Sequence, residues 1–197
     1  MPRPLSQPEI DEFRDKLCDA AARLFARHGR DGFTLRALTA ELGVSPMTPY
    51  RYFKDKDDIL AAVRARAFDR FADTLEKAFA GEGPTLERTM RVGDAYIRFA
   101  FEEPDSYRLM FDLTQPGEEN YTDLVRAATR ARRTMTEHVR SLIAEDVFQG
   151  DPVVIGHVFW AATHGAIVLQ MAGKLDCDFG RIREATMRAL YRGFAPA

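Results

Sequence analysis

Apolar residues recur with a helical period along most of the chain, and strict alternation of apolar and polar residues is rare. Apolar residues spaced three or four apart lie on one face of an α-helix. The first such stripe ends at the His28-Gly29 pair and consists of Ile10, Phe13, Leu17, Ala21, Leu24 and Phe25. A longer stripe follows Lys54-Asp55-Lys56 and consists of Ile59, Leu60, Val63, Ala67, Phe71, Leu75 and Phe79.

Proline and glycine then divide the rest of the chain into further helices, which the pattern predicts at about 85–102, 104–114, 121–148, 152–173 and 179–194. With the helices before them, they predict an all-α protein of about nine helices without internal repeats. A hinge is expected at Gly81-Glu82-Gly83-Pro84. The functional boundary is placed earlier, which divides the chain into residues 1–55 and 56–197.

Residues 34–53 predict two short helices joined by a tight turn. Thr34 is a good N-cap for a helix over 35–42, and Gly43 suits its C-cap. Ser45 can cap a second helix that has Pro46 at its first position and runs to about Phe53. Leu38, Leu42, Val44 and Tyr50 are expected to close a small core between them. A helix-turn-helix of this kind can place the second helix in the major groove of DNA.

The side chains around this second helix carry the chemistry that DNA contacts require. Hydroxyls and cations bind phosphates or base edges, apolar groups pack against thymine methyls, and a helix N-terminus favours phosphate. The candidates are Thr34, Arg36, Ser45, Pro46, Met47, Thr48, Tyr50, Arg51, Tyr52, Lys54 and Lys56. Pro49 lacks an amide hydrogen and is expected to distort the start of the helix. In the alternative interpretation Tyr52 and Phe53 are core residues and Arg36 is merely solvated.

Residues 13–60 resemble the TetR family of transcriptional regulators. The likeness lies in Ala-Ala-Arg-Leu-Phe-Ala-Arg-His-Gly, Phe-Thr-Leu-Arg-Ala-Leu-Thr-Ala-Glu-Leu-Gly-Val-Ser and Tyr-Arg-Tyr-Phe-Lys-Asp-Lys-Asp-Asp-Ile-Leu, in that order. It implies a homodimer whose N-terminal heads bind a near-palindromic operator, while the remaining helices bind a small ligand and dimerise. Two later segments, 104–111 and 160–165, resemble the C-terminal domain named for its Trp, His and Gly.

The C-terminal part also offers candidates for an apolar ligand pocket with a polar group. Trp160 and His164 are one helical turn apart and share a face. The candidate lining residues are Phe68, Phe71, Tyr96, Phe99, Met110, Phe111, Trp160 and His164. Each of them could equally be a core residue, with His164 neutral and hydrogen-bonded. No metal site or cofactor is expected, because the four His and two Cys lack ligand spacing.

The segment 153–173 is long and apolar enough for a membrane span of roughly 20 residues. Its histidines and glycines, and the lack of flanking cations, favour a buried helix in a bundle instead. Small residues along it permit close helix approach, so the helices near 152–173 and 179–194 are predicted to form a homodimer interface.

Overall composition is that of a globular protein, with 46% hydrophobic and 29% charged residues in 197. The net charge of −2 hides an uneven distribution. Residues 27–56 hold six basic and three acidic residues, a local +3, which leaves −5 for the other 167. An acidic body would orient a basic head towards DNA. No apolar signal region follows the start, so a cytoplasmic protein with free Cys18 and Cys177 is expected.

The leading hypothesis is therefore a ligand-responsive, DNA-binding repressor released by a small apolar or amphipathic effector. Two alternatives stay open. An enzyme is disfavoured because no paired carboxylates, nucleophile–base pair or glycine-rich phosphate loop occurs at a usable spacing. The other is a helical protein-interaction module that does not bind DNA.

Overall fold

The computed structural model describes residues 6–111 and 117–196, except for the side chains of residues 30 and 31. Eight α-helices occupy most of these residues, and the described residues contain no strand. The helices are α1 (Gln7–Gly32), α2 (Leu35–Leu42), α3 (Lys56–Ala80), α4 (Thr85–Glu102), α5 (Pro104–Met110), α6 (Thr122–Ala144), α7 (Pro152–Met171) and α8 (Phe179–Phe194). The all-α prediction is confirmed.

The chain divides into two compact units. The first contains the described residues up to Arg70 together with those from Glu103 to Ala128. The second contains Phe71–Glu102 and the described residues from Thr129 onward. Helices α3 and α6 contribute residues to both units. The functional boundary at residue 55 stays a prediction.

A buried apolar cluster built around α1 holds the first unit together. The α1 stripe predicted from the sequence faces this cluster and ends at Gly29, whose φ of 65° interrupts the helix. The largest fully buried members are Leu17, Phe33, Leu38, Ile59, Leu60 and Leu109, and Phe53 adds a ring that is 4% exposed. Burying a large apolar side chain contributes about 1.5–3 kcal/mol, so this cluster fixes how α1, α2 and the start of α3 pack.

Local backbone chemistry sets the ends of α2 and α6. Gly43 adopts a left-handed conformation, with its N–H bonded to Ala40 O and the N–H of Val44 bonded to Thr39 O. Asp146 does the same at φ 55°, with the N–H of Val147 bonded to Leu142 O. The helix predicted over 121–148 was therefore four residues too long, because Asp146 takes the position that glycine usually fills.

The second helix predicted from Ser45 to about Phe53 is wrong. Residues 46–48 form a turn, and Pro49–Arg51 form a single turn of 3-10 helix. The N–H groups of Thr48, Arg51 and Tyr52 bond carbonyls three residues earlier. Pro49 has no N–H to donate to the carbonyl of Ser45, which accepts from Thr48 instead. Pro49 was expected to distort only the start of this helix, but no α-helix forms over these residues.

Tyr50 was also placed wrongly in the small core beside this segment. Its side chain is 50% exposed, while Phe53 is buried and Tyr52 is half-buried. The core interpretation therefore holds for Phe53 and in part for Tyr52. The helix predicted over 104–114 ends at Met110, and residues 112–116 lie outside the described residues.

In the second unit α7 packs against α8 and α4. Phe148 stacks on Phe159 at a ring-centroid distance of 5.8 Å, and Tyr191 and Phe194 of α8 meet both rings edge-on or tilted. This aromatic group, together with Val139, Leu142 and Ile155, forms a compact cluster that joins α6, α7 and α8.

Helix α7 is not buried in the single chain, contrary to the prediction. By length and composition it is the one described helix that could cross a membrane, yet 17% of its most apolar window is buried. Its apolar exposed side chains are Val153, Val154, Val168 and Leu169. Large exposed apolar patches often mark interaction sites, so α7 presents apolar side chains that a partner can cover.

Replacing Pro49 with alanine should return the missing amide and favour a regular helix over residues 46–52. The 13Cα chemical shifts of these residues are expected to move towards helical values, because the backbone can then form the bond from residue 49 to Ser45 O. Pro46→Ala is the matched control, since Pro46 is exposed in the first turn, where no helical bond is removed. Unchanged shifts in Pro49→Ala would show that packing, not the proline, breaks the helix.

Candidate functional site

The start of α2 is capped as the sequence predicts. The Thr34 hydroxyl oxygen accepts a hydrogen bond from the Ala37 N–H at 3.1 Å, and Thr34 itself is exposed. Arg36 is exposed in the first turn of the same helix. The helix N-terminus and a cation are therefore presented to solvent together, an arrangement that favours an anion such as phosphate.

The segment after α2 exposes a short run of mixed side chains. Ser45, Pro46 and Arg51 are exposed, Met47 is 67% exposed, and Thr48 is half-buried. Ser45 Oγ accepts a hydrogen bond from the N–H of Met47 at 3.4 Å. Residues 45–51 thus project hydroxyl, apolar and guanidinium groups within a few residues of one another. This mixture suits contact with both phosphates and base edges.

Two aromatic residues hold the end of this segment. Tyr52 packs on Phe13 with ring centroids 4.8 Å apart, and the Arg14 guanidinium lies 4.7 Å from the centre of the buried Phe53 ring. Lys56 Nζ lies 5.5 Å from the centre of Phe33. Asp55 then caps α3 by accepting from the N–H of Asp58 at 2.8 Å.

The cations of this region differ in their partners. Arg23 and Arg27 both reach Glu41, at 3.0 and 3.8 Å between nitrogen and carboxylate oxygen. Arg36, Arg51 and Lys54 are exposed and form no ion pair with a described residue. Of the predicted DNA-binding residues, these three therefore present charge that is available to a phosphate, while Tyr52 and Lys56 are held against other rings.

A cavity of about 570 Å³ lies within the second unit. Its size falls in the range of small-molecule sites, and apolar and aromatic side chains make up most of its wall. Residues of α4, α6, α7 and α8 line it, among them Met90, Tyr96, Met135, Val139, Phe159, Trp160, Met187 and Tyr191.

Two predicted ligand residues, Tyr96 and Trp160, line this cavity, and the Trp160 indole N–H donates to the Tyr96 hydroxyl oxygen at 3.0 Å. Phe71 packs against both Tyr96 and Phe99, with ring centroids 5.0 Å and 5.2 Å apart. The remaining candidates do not line it. His164 is half-buried on α7, and the other three, Phe68, Met110 and Phe111, belong to the first unit. A ligand role for all of them stays a prediction.

Sequence reasoning missed the two buried polar residues of the cavity wall, Thr89 and His138. Both are more than nine-tenths buried. His138 Nδ1 lies 2.8 Å from the carbonyl oxygen of Thr134, and burial lowers the pKa of His138 below its usual value. Burial also lowers the pKa of His164. His138 follows the apolar stripe of α6, which is the signal that could have identified it as an inward-facing histidine.

Charged residues of the cavity wall lie in ion pairs. Arg183 pairs with Asp94, and Arg188 pairs with Glu184 one turn away on α8. All four side chains are at least two-fifths exposed. Among the described residues no group of three or more His, Cys, Asp or Glu could hold a metal ion.

Two family models match the chain. The model described as bacterial regulatory proteins, tetR family, matches residues 17–63, and the model described as tetracyclin repressor-like, C-terminal domain, matches residues 89–194. The narrower resemblance to the C-terminal domain named for Trp, His and Gly stays a prediction.

Relatives that match most of the chain agree with these family models. An uncharacterized HTH-type transcriptional regulator of Mycobacterium tuberculosis is 27% identical over 83% of this chain and 72% of its own. A protein with unknown function from Rhodococcus sp. RHA1 superposes with a TM-score of 0.81 at 27% identity, covering 99% of this chain and 100% of the other. A TetR family transcription regulator from Marinobacter aquaeolei VT8 has the same fold, with a TM-score of 0.76 at 18% identity over 98% and 100% of the two chains.

The buried, neutral His138 should make the protein less stable in mild acid. Its folded pKa lies below the unfolded value, so the unfolded chain binds a proton first, and the free energy of unfolding falls as the pH drops below about 6.5. Chemical denaturation at pH 7.5, 6.5 and 5.5 checks this. The fall should be smaller in His138→Gln than in the original chain, whereas His28→Gln, an exposed replacement, should leave it unchanged. Equal falls in all three proteins would contradict the assignment.

Proposed function

The chain belongs to the TetR family of bacterial regulatory proteins, and we propose that it represses transcription by binding a near-palindromic operator as a homodimer. A small apolar or amphipathic effector releases it from the operator. Members of this family are DNA-binding transcription regulators rather than enzymes, and the protein would act in the cytoplasm with its DNA.

The observation that carries this proposal is the exposed segment between two buried anchors. Leu38 precedes it and Phe53 follows it, and both belong to the same apolar cluster. Between them Ser45, Met47 and Arg51 face solvent. A rigidly supported, solvent-facing set of polar and apolar groups after a capped helix is what a helix-turn-helix presents to a major groove.

The DNA contacts of this segment divide by chemistry. Arg36, Arg51 and Lys54, with the hydroxyls of Thr34 and Ser45, would bind phosphates and set the position of the head. Met47, Pro46 and Thr48 would meet base edges, because apolar groups pack against thymine methyls and hydroxyls bond several bases. Tyr50, which is half-exposed, would reach the backbone. Because the segment is a 3-10 turn rather than a helix, fewer residues can enter the groove at once.

The exposed apolar face of α7 supports a homodimer through α7 and α8. Val154 is 56% exposed and Leu169 is 47% exposed at opposite ends of the helix. Gly165 has no heavy atom within 4 Å of the position that a Cβ would occupy, so a second helix can approach closely there. Two such helices from each protomer would make a four-helix bundle about a two-fold axis.

The cavity supports the effector part of the proposal, since its volume and wall suit an apolar molecule. Ligand binding would favour a dimer whose two recognition segments no longer match half-sites spaced by about 34–36 Å or multiples of it. The difference in the ligand's affinity for the two dimer forms sets the size of the response.

Selection from random duplexes should yield a near-palindromic operator, and Arg51→Ala with Lys54→Ala should bind it more weakly. Removing two cations per protomer is expected to lower affinity at least tenfold and to reduce the slope of log affinity against log salt by about one for each phosphate that is no longer neutralised. Fluorescence anisotropy over a salt series measures both quantities. Arg132→Ala with Arg133→Ala removes the same charge from exposed positions on α6 and should change neither.

Two results would count against DNA binding by this segment. One is a failure to recover any duplex from the selection. The other is unchanged affinity in the Arg51 and Lys54 variant, which would favour the protein-interaction module instead.

Leu169→Asp should shift the protein from dimer to monomer, because a carboxylate would be buried without a partner in the proposed bundle. Sedimentation velocity over a concentration series gives the dissociation constant, which we expect to rise at least a hundredfold. Val125→Asp is the control, since Val125 on α6 is also an exposed apolar residue, at 37%. A Leu169→Asp dimer as tight as the original would place the interface elsewhere.

A further inference from the structure

The exposed part of the cavity wall contains charged side chains, whereas its buried part contains neutral ones. The ionic side chains of the wall are Arg183, Glu184 and Arg188, which are 41–70% exposed, and each arginine has a carboxylate beside it, Asp94 for Arg183 and Glu184 for Arg188. The polar residues that line its buried part are Thr89, at 8% exposure, His138, at 9%, and Tyr96, at 3%. The buried part of the wall is therefore polar at a few points and carries no formal charge.

His138 presents a hydrogen-bond acceptor to this buried part. The carbonyl of Thr134 can only accept, so the proton of the neutral imidazole lies on Nδ1, which donates to that carbonyl at 2.8 Å. Burial lowers the pKa of His138 and thereby keeps the ring neutral. Nε2 then carries a lone pair, and it has no hydrogen-bond partner among the described residues. Nε2 therefore lacks a hydrogen-bond donor in the described part of the chain.

Thr89 provides a second polar group in the same wall. Its hydroxyl oxygen is buried and has no hydrogen-bond partner in the described part of the chain. The buried threonines of α6 behave differently, since Thr134 donates to Ala131 O at 2.7 Å and Thr136 donates to Arg133 O at 3.3 Å. Threonine in a helix populates two χ1 rotamers. Thr89 lines the cavity, so we expect a rotation about Cα–Cβ to turn its hydroxyl towards an oxygen bound there.

From these two groups we propose that the effector is an uncharged, largely apolar molecule that carries a hydroxyl group. This inference rests on the proposed role of the cavity as the effector site. The ligand hydroxyl donates a hydrogen bond to His138 Nε2, and the Thr89 hydroxyl donates a hydrogen bond to an oxygen of the ligand. The apolar remainder lies against Met90, Met135, Val139, Phe159 and Trp160.

Ligands that carry a formal charge fit the buried part of this wall poorly. A carboxylate has no proton to donate to Nε2, and an ammonium group would bring a charge into a buried region that offers no carboxylate. Sites built to bond a ligand hydroxyl discriminate strongly against analogues without it, because the buried polar groups are then left unpaired. At the exposed part of the wall, each arginine is already paired with a carboxylate.

Titration of the purified full-length protein with 1-decanol, decanoate and decylammonium tests the inference. Trp160 is the only tryptophan in the chain and lines the cavity, so its emission reports occupancy. We expect decanol to bind at least tenfold more tightly than either charged probe. His138→Phe, which keeps an aromatic ring and removes the acceptor, should abolish most of that preference. Thr89→Val should reduce it in the same direction.

Two matched replacements serve as controls. His28→Phe changes an exposed histidine of the first unit, and Thr136→Val changes a buried threonine that already bonds a carbonyl. Neither should alter the preference for decanol. Equal or tighter binding of decanoate by the original chain, or an unchanged preference in both His138→Phe and Thr89→Val, would overturn the inference.

Fluorescence anisotropy in the same titrations measures release of the selected operator. This measurement distinguishes a failure of the inference from a failure of the proposed function. If decanoate or decylammonium binds best and releases the operator, the effector site stands and the hydroxyl preference is wrong. If none of the probes changes Trp160 emission, the cavity is not an effector site for apolar molecules, and both proposals fail. Operator release by decanol with the expected preference supports both.

Discussion

Burial of Phe53 in the apolar cluster around α1 is the constraint on which the candidate DNA-binding surface depends. Residues 44–55 contain only turn hydrogen bonds and one 3-10 turn, so their own backbone stabilises them weakly. Their shape is held from outside, by Leu38 and the Gly43 turn before them and by Phe53 and the Asp55 cap of α3 after them. Exposed groups such as Met47 and Arg51 can therefore be presented in a defined geometry without being packed themselves.

Pro49 shows how one residue can serve packing and oppose secondary structure. Pro49 is buried, while its missing N–H prevents the helix that the capping residues predict. The two effects operate on different groups, the side chain and the backbone, which is why the segment is both well anchored and non-helical. Ser45 and Arg51 are exposed in this turn, so the surface keeps the hydroxyl and cationic groups that the sequence predicts although its backbone is not helical.

Arginines of α6 and of the cavity wall lie in ion pairs, whereas cations of the candidate DNA-binding surface form none with a described residue. On α6, Arg126 forms a two-point pair with Asp69, at 2.7 and 3.0 Å, and Arg130 lies between Asp73 and Glu76, whose hydrogen bonds raise the pKa of Arg130. The arginines of the cavity wall are paired as well. By contrast, Arg36, Arg51 and Lys54 have no ion-pair partner among the described residues. A near-neutral total thus conceals a small group of cations that remains available to an external anion.

The sequence by itself determined most of the helices, though not the segment after Ser45, because apolar period, capping residues and glycine positions act within a few residues of chain. Thr34, Gly43 and Gly29 fall where local chemistry predicts, and the order of motifs identified the family. Tertiary structure decided what depends on distant neighbours. It left the apolar α7 exposed and brought Thr89 and His138 into the wall of one cavity. Composition cannot show such features, since a buried polar group becomes available to a ligand only when packing removes its other partners.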